Sequence, residues 1–70
     1  MHGQYANHFE VGHNVVEFVL DFGQLYADGP AARIHTRIIT SPTYAVDLLL
    51  LLQKSIDGYL RIHGPIPGRA

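Results

Sequence analysis

One long helical period dominates this chain, running from Pro42 to about His63 in a sequence of 70 residues. Ser41 is placed to accept a hydrogen bond from a free backbone N–H as N-cap. Pro42, at the first helical position, lacks the donor that would otherwise be orphaned there. Gly64 ends the period and Pro65 prevents its continuation. Ala45, Leu48, Leu49, Leu52, Ile56, Tyr59 and Leu60 recur at the spacing of one helix face, so they form a single apolar stripe. Gly58 interrupts the helix at a cost of about 1 kcal/mol relative to Ala. Such a stripe needs an apolar partner surface, and only the segment 1–41 is left to build one.

That segment reads as β-structure. Residues 5–11 alternate Tyr5, Asn7, Phe9 and Val11 against Ala6, His8 and Glu10, a period of two. Residues 15–22 set Val16, Phe18, Leu20 and Phe22 against Val15, Glu17, Val19 and Asp21, with β-branched and aromatic residues prominent. Residues 32–40 set Ile34, Thr36 and Ile38 against Arg33, His35, Arg37 and Ile39. Gly12-His13 suits a two-residue hairpin turn that needs positive φ at its first position, which would pair Phe9 with Val16 and Asn7 with Phe18. Pairing Leu20 with Ile34 in the second hairpin sets Glu17 opposite Arg37 and Asp21 opposite Arg33. Each such pair contributes about 0.2–1 kcal/mol, and a one-residue slip would put the apolar face against the charged one. The turn between these strands carries Asp28-Gly29-Pro30. The expected fold is therefore α+β: one domain over residues 1–70, a three-stranded antiparallel β-meander followed by one long C-terminal helix packed on one face, with residues 64–70 as a tail.

Size makes such a domain marginal. A compact monomer of 7.8 kDa exposes about 4,400 Å², against about 11,000 Å² unfolded. No Cys is present to form a disulfide or a thiolate metal site. Apolar residues make up 47% of the chain and charged ones only 16%, below the usual share for a water-facing domain of this kind. Two apolar clusters are surplus to a sheet capped by one helix. Val46, Leu50 and Leu51 lie off the helix stripe, and Val15, Val19 and Ile39 lie on the sheet face away from it. These six residues are the candidate interface, and the expected partner is another copy of the chain, as a dimer or higher assembly, or another protein.

Most chemistries lack their residues here. His8 and His35 share the outer sheet face, but the expected register separates them by about 12 Å, beyond the reach of one Zn²⁺. His13 falls in a turn, and His63 suits the carbonyl end of the helix. Ser41 is taken by its capping role, no GxSxG or phosphate-binding glycine loop occurs, and no cofactor is expected. Net charge is −1, without the positive excess of a phosphate-tracking surface. The stretch from Tyr44 to Leu52 is too short and too interrupted to span a membrane. With no leader-like start, the expected location is the cytoplasm. The leading expectation is a non-enzymatic homo-oligomerising or protein-interaction module. Two alternatives stand behind it: a small nucleic-acid-binding regulator presenting a β-ribbon with Arg33, His35 and Arg37, and an oligomer with a ligand site between subunits.

The strings Glu17-Phe18-Val19-Leu20-Asp21-Phe22-Gly23 and Arg37-Ile38-Ile39-Thr40-Ser41-Pro42 carry a resemblance. So do Ala45 to Leu52, Ile56, Tyr59 and the closing Gly64-Pro65-Ile66. Together they resemble a family of small bacterial proteins known as a domain of unknown function, DUF3467. The resemblance spans residues 5–66 and implies one compact domain. It carries over no catalytic or binding residue.

Overall fold

The computed structural model describes residues 2–27, 29 and 31–68. Three strands and one helix follow one another along the chain: β1 (His8–His13), β2 (Phe18–Gln24), β3 (Arg33–Thr40) and α1 (Pro42–His63). The sheet is an antiparallel meander in the order β1-β2-β3. This is the architecture that the two periodicities predict. Asp28 and Pro30, part of the turn expected between β2 and β3, lie outside the described residues, as do Arg69 and Ala70 of the tail.

Both hairpin registers differ from the expected ones, for a local reason in each case. Gly12-His13 is not the first turn, because Asn14 outcompetes it. The Asn14 side-chain oxygen accepts from the backbone N–H groups of Val16 and Glu17, both at 2.9 Å, and the Asn14 N–H donates to the Glu17 carbonyl at 3.0 Å. An Asn that bonds its own downstream backbone builds a turn without needing positive φ. The loop is thus Asn14–Glu17, and β1 runs on to His13, which pairs with Phe18. Phe9 meets Phe22, their rings edge to face at 5.8 Å, and Val11 meets Leu20. In the second hairpin Leu20 pairs with Ile38 and Asp21 with Arg37. The expected pairs Glu17–Arg37 and Asp21–Arg33 are therefore corrected: Glu17 sits in the turn, and Arg33 stands opposite Gln24. As far as Phe22 both shifts are by an even number of residues, so the side chains paired there keep their face; beyond it a bulge breaks that parity for Ile34 and Arg33.

A bulge between Phe22 and Gly23 completes the β2–β3 pairing. Gly23 is the one buried residue among those described. A Cβ there would lie 2.4 Å from the Arg33 carbonyl oxygen, closer than any real contact, so a side chain is excluded by the neighbouring backbone.

The helix ends are as expected. The Ser41 Oγ accepts from the Tyr44 N–H at 3.1 Å, Pro42 occupies the first position, and Gly64 closes the helix at φ 81° with its N–H on the Leu60 carbonyl. Arg61 and His63 lie in the last turn, where positive charge complements the free carbonyls.

Packing is where one chain falls short. The expected stripe meets the sheet over its first half alone, and even there it stands off it. Among the described residues no apolar side chain is buried, so one chain has no core of its own. It exposes 6239 Å², against about 4,400 Å² for a compact monomer of its mass. Its radius of gyration is 14.6 Å, against about 11 Å for a compact chain of this length.

The bulge gives a direct test. Gly23→Ala should lower stability by about 1–3 kcal/mol, the range for forcing atoms into filled space. Gly12→Ala meets open space in the same sheet, so it should change stability by less than about 1 kcal/mol. Urea denaturation at matched chain concentration measures both, and equal effects would rule out the close approach as the cause.

Candidate functional site

The geometry of the helix follows from its connection. Ser41 alone joins the end of β3 to Pro42, and its backbone is extended at φ −79°, ψ 159°. Strand–helix links usually have about 2–6 residues. One extended residue followed by a proline ring leaves no slack to lay the helix back across the sheet. The helix also outreaches the sheet: 22 residues span about 33 Å, whereas the 8 residues of β3 span about 26 Å.

Between the two elements lies a wedge of about 550 Å³. Val11, Phe18 and Leu20 line its sheet side, and Pro42, Ala45, Val46, Leu48, Leu49 and Leu52 line its helix side. Every lining residue is apolar. Leu49 is 59% exposed and Leu52 55%, so the wedge is open to solvent. Ile56, Tyr59 and Leu60 continue the same stripe beyond the wedge and are also exposed.

The six candidate interface residues do not form one patch. Val15 is corrected from the outer sheet face to the tip of the Asn14–Glu17 loop, where it is 93% exposed. Val19 and Ile39 are cross-strand partners on that outer face. Val46 lines the wedge, while Leu50 and Leu51 flank Asp47 and Lys54 on another side of the helix. The apolar surface that the sequence pattern assigns to a self-made core stands open in the single chain: Phe9, Val11, Ile38 and the helix stripe are exposed, apart from the half-buried Ala45. The signal available beforehand was the single-residue link at Ser41.

Polar groups on the sheet hold one another. The Arg37 guanidinium donates through two nitrogens to the two Asp21 carboxylate oxygens at 2.8 and 2.9 Å, a two-pronged pair. These bonds hold the Asp21 carboxyl below its ordinary pKa and raise that of Arg37. Asp21 is the sheltered member, its side chain 12% exposed. His8 Nε2 lies 2.8 Å from a Glu10 carboxylate oxygen. His35 Nε2 lies 3.0 Å from the Tyr5 carbonyl, which can only accept, so Nε2 carries a proton, and Nδ1 lies 2.7 Å from the Thr36 hydroxyl oxygen. His13 stacks on Phe18 and His63 packs against Tyr59. Among the described residues no three His, Asp or Glu side chains converge as a metal site. No helix among them is long and apolar enough to cross a membrane.

An apolar wedge on a small meander-plus-helix domain, rather than a cluster of reactive groups, is thus the main surface feature. Residues 1–67 match the family model described as a protein of unknown function (DUF3467), and the chain belongs to that family. No curated protein and no solved structure matches it.

The paired charges predict a pH response. Asp21 has a lowered pKa in the folded chain, so its contribution is fully present above the unfolded value near 3.8 and is lost as pH falls through the folded one. Asp21→Asn should reduce the urea midpoint at neutral pH. That gap to the natural chain should narrow at about pH 2.5. A gap independent of pH would show that the Asp21 charge is not what matters.

Proposed function

We propose that this protein is a non-enzymatic homo-oligomerising module, whose fold is completed only when copies associate. One observation carries the reading: among the described residues not one apolar side chain is buried, in a chain that is 47% apolar. Fully burying a Leu, Val or Phe contributes about 1.5–3 kcal/mol, so association supplies the interior that a single chain lacks. Apolar side chains are exposed or half-buried over the wedge, the stripe and the Val19–Ile39 pair, more than the scattered residues ordinary on a monomer's surface.

The charge pattern favours this over the nucleic-acid alternative. Arg37 is committed to Asp21, and the net charge is −1. The face bearing Arg37 therefore offers paired rather than free positive charge to a phosphate backbone.

Light scattering on the purified protein at micromolar concentration tests the reading. The expected mass is an integer multiple, two or greater, of 7.8 kDa. Because apolar burial rather than charge drives assembly, the mass should stay unchanged between about 0.05 and 1 M NaCl. A folded particle of single-chain mass would end the proposal, and dissociation in high salt would shift the contact to the charged residues.

A further inference from the structure

We infer that the occupant of the wedge is the helix of a second copy, and that two chains close on each other by reciprocal insertion. This rests on the oligomerising reading and names its surface, partner and stoichiometry.

Both halves of the contact are present on one chain. The wedge is a concave apolar slot between Phe18 and Leu20 on the sheet and Leu48, Leu49 and Leu52 on the helix. The ridge is the outer half of the stripe, Ile56, Tyr59 and Leu60, which is exposed and contributes nothing to its own wedge. Leu49, Leu52, Ile56 and Tyr59 are spaced alternately three and four residues apart, the rhythm by which one helix seats against another. Asp47, Lys54, Asp57 and Arg61 fall on the opposite side of the helix by its 3.6-residue repeat, so insertion leaves every one of these charges in water.

A surface that carries both slot and matching ridge is self-complementary. Under a two-fold axis the ridge of one chain enters the slot of its partner while the reverse contact forms at the same time, and the assembly closes at two. The area agrees. One chain exposes 6239 Å², about 1,800 Å² more than a compact chain of its mass. Two chains hiding that excess bury about 3,600 Å², within the range of obligate homodimers.

The chain has no Cys, so single thiols can be placed at will. A Leu20→Cys chain and an Ile56→Cys chain, one lengthened by a tag to mark its mass, are unfolded together in urea, refolded and treated with a short bis-maleimide. The expected main product joins one long and one short chain. Val19 is on the opposite face of the same strand, and a Val19→Cys chain in place of Leu20→Cys should give at least about tenfold less. Leu52→Glu should weaken the dimer at least about a hundredfold, because it puts an unpaired charge in the contact, whereas Leu51→Glu should change it by less than about threefold.

A native dimer that cross-links equally well through Val19, or that tolerates Leu52→Glu but not Leu51→Glu, overturns the insertion and leaves oligomerisation standing. A trimer or larger ring overturns the two-fold closure. A single-chain mass overturns both proposals. Should the Leu52→Glu chain fail to fold, the cross-linking comparison, made on folded chains, decides alone.

Discussion

Ser41, the lone residue between β3 and the helix, carries an extended backbone and is followed by a proline ring, and beyond this short link only the first half of the helix faces the sheet, across a gap. Everything else about the single chain follows from that separation. The stripe from Ala45 to Leu52 and the face carrying Val11, Phe18 and Leu20 are each suited to burial, yet they face each other across an open wedge, and Ile56, Tyr59 and Leu60 lie beyond it. Hydrophobic stabilisation scales with the area removed from water. A chain that leaves both surfaces wet forgoes most of what could offset its ordering entropy. The proposed assembly makes association a condition of folding rather than an addition to it.

The sheet, by contrast, is specified by directed polar contacts. Asn14 builds the first turn, the Asp21–Arg37 pair marks the second register, and Gly23 admits the Arg33 carbonyl at the bulge. Asn7 pins the far end of the first hairpin: its side-chain oxygen accepts from the Leu25 N–H at 2.7 Å, and its amide donates to the Leu25 carbonyl at 3.2 Å. Such contacts are position-specific but individually weak, with cross-strand pairs at about 0.2–1 kcal/mol. They choose the register without supplying the stability of an isolated three-stranded sheet.

The elements themselves were legible in the residue pattern, because each rests on a local rule. Ser41-Pro42 and Gly64 bound the helix in the structure as they do in the sequence, and alternation placed the three strands within a few residues. Registers were not legible, since Asn14 and Gly12-His13 both offer turn chemistry and two hydrogen bonds to one side chain decided between them. Charge pairing misled for a related reason: Asp21 can meet Arg33 or Arg37 on the same sheet face, because the two registers differ by an even number of residues. Of the candidate interface, Val19 with Ile39 and the trio Val46, Leu50 and Leu51 sit on exposed or half-buried elements, whereas Val15 moved to a loop tip with the turn. The wedge was missed because a stripe and a sheet face of matching character were assumed to meet within one chain.

Membership of the DUF3467 family assigns no chemistry, so the physical account stands on whether one chain can hold itself together. The most direct measurement is the urea unfolding midpoint across a wide dilution series. If folding and association are one event, the midpoint rises steadily with chain concentration by mass action. A midpoint that stays constant from nanomolar to millimolar chain would mean that the apolar wedge closes within a lone molecule, contradicting the account.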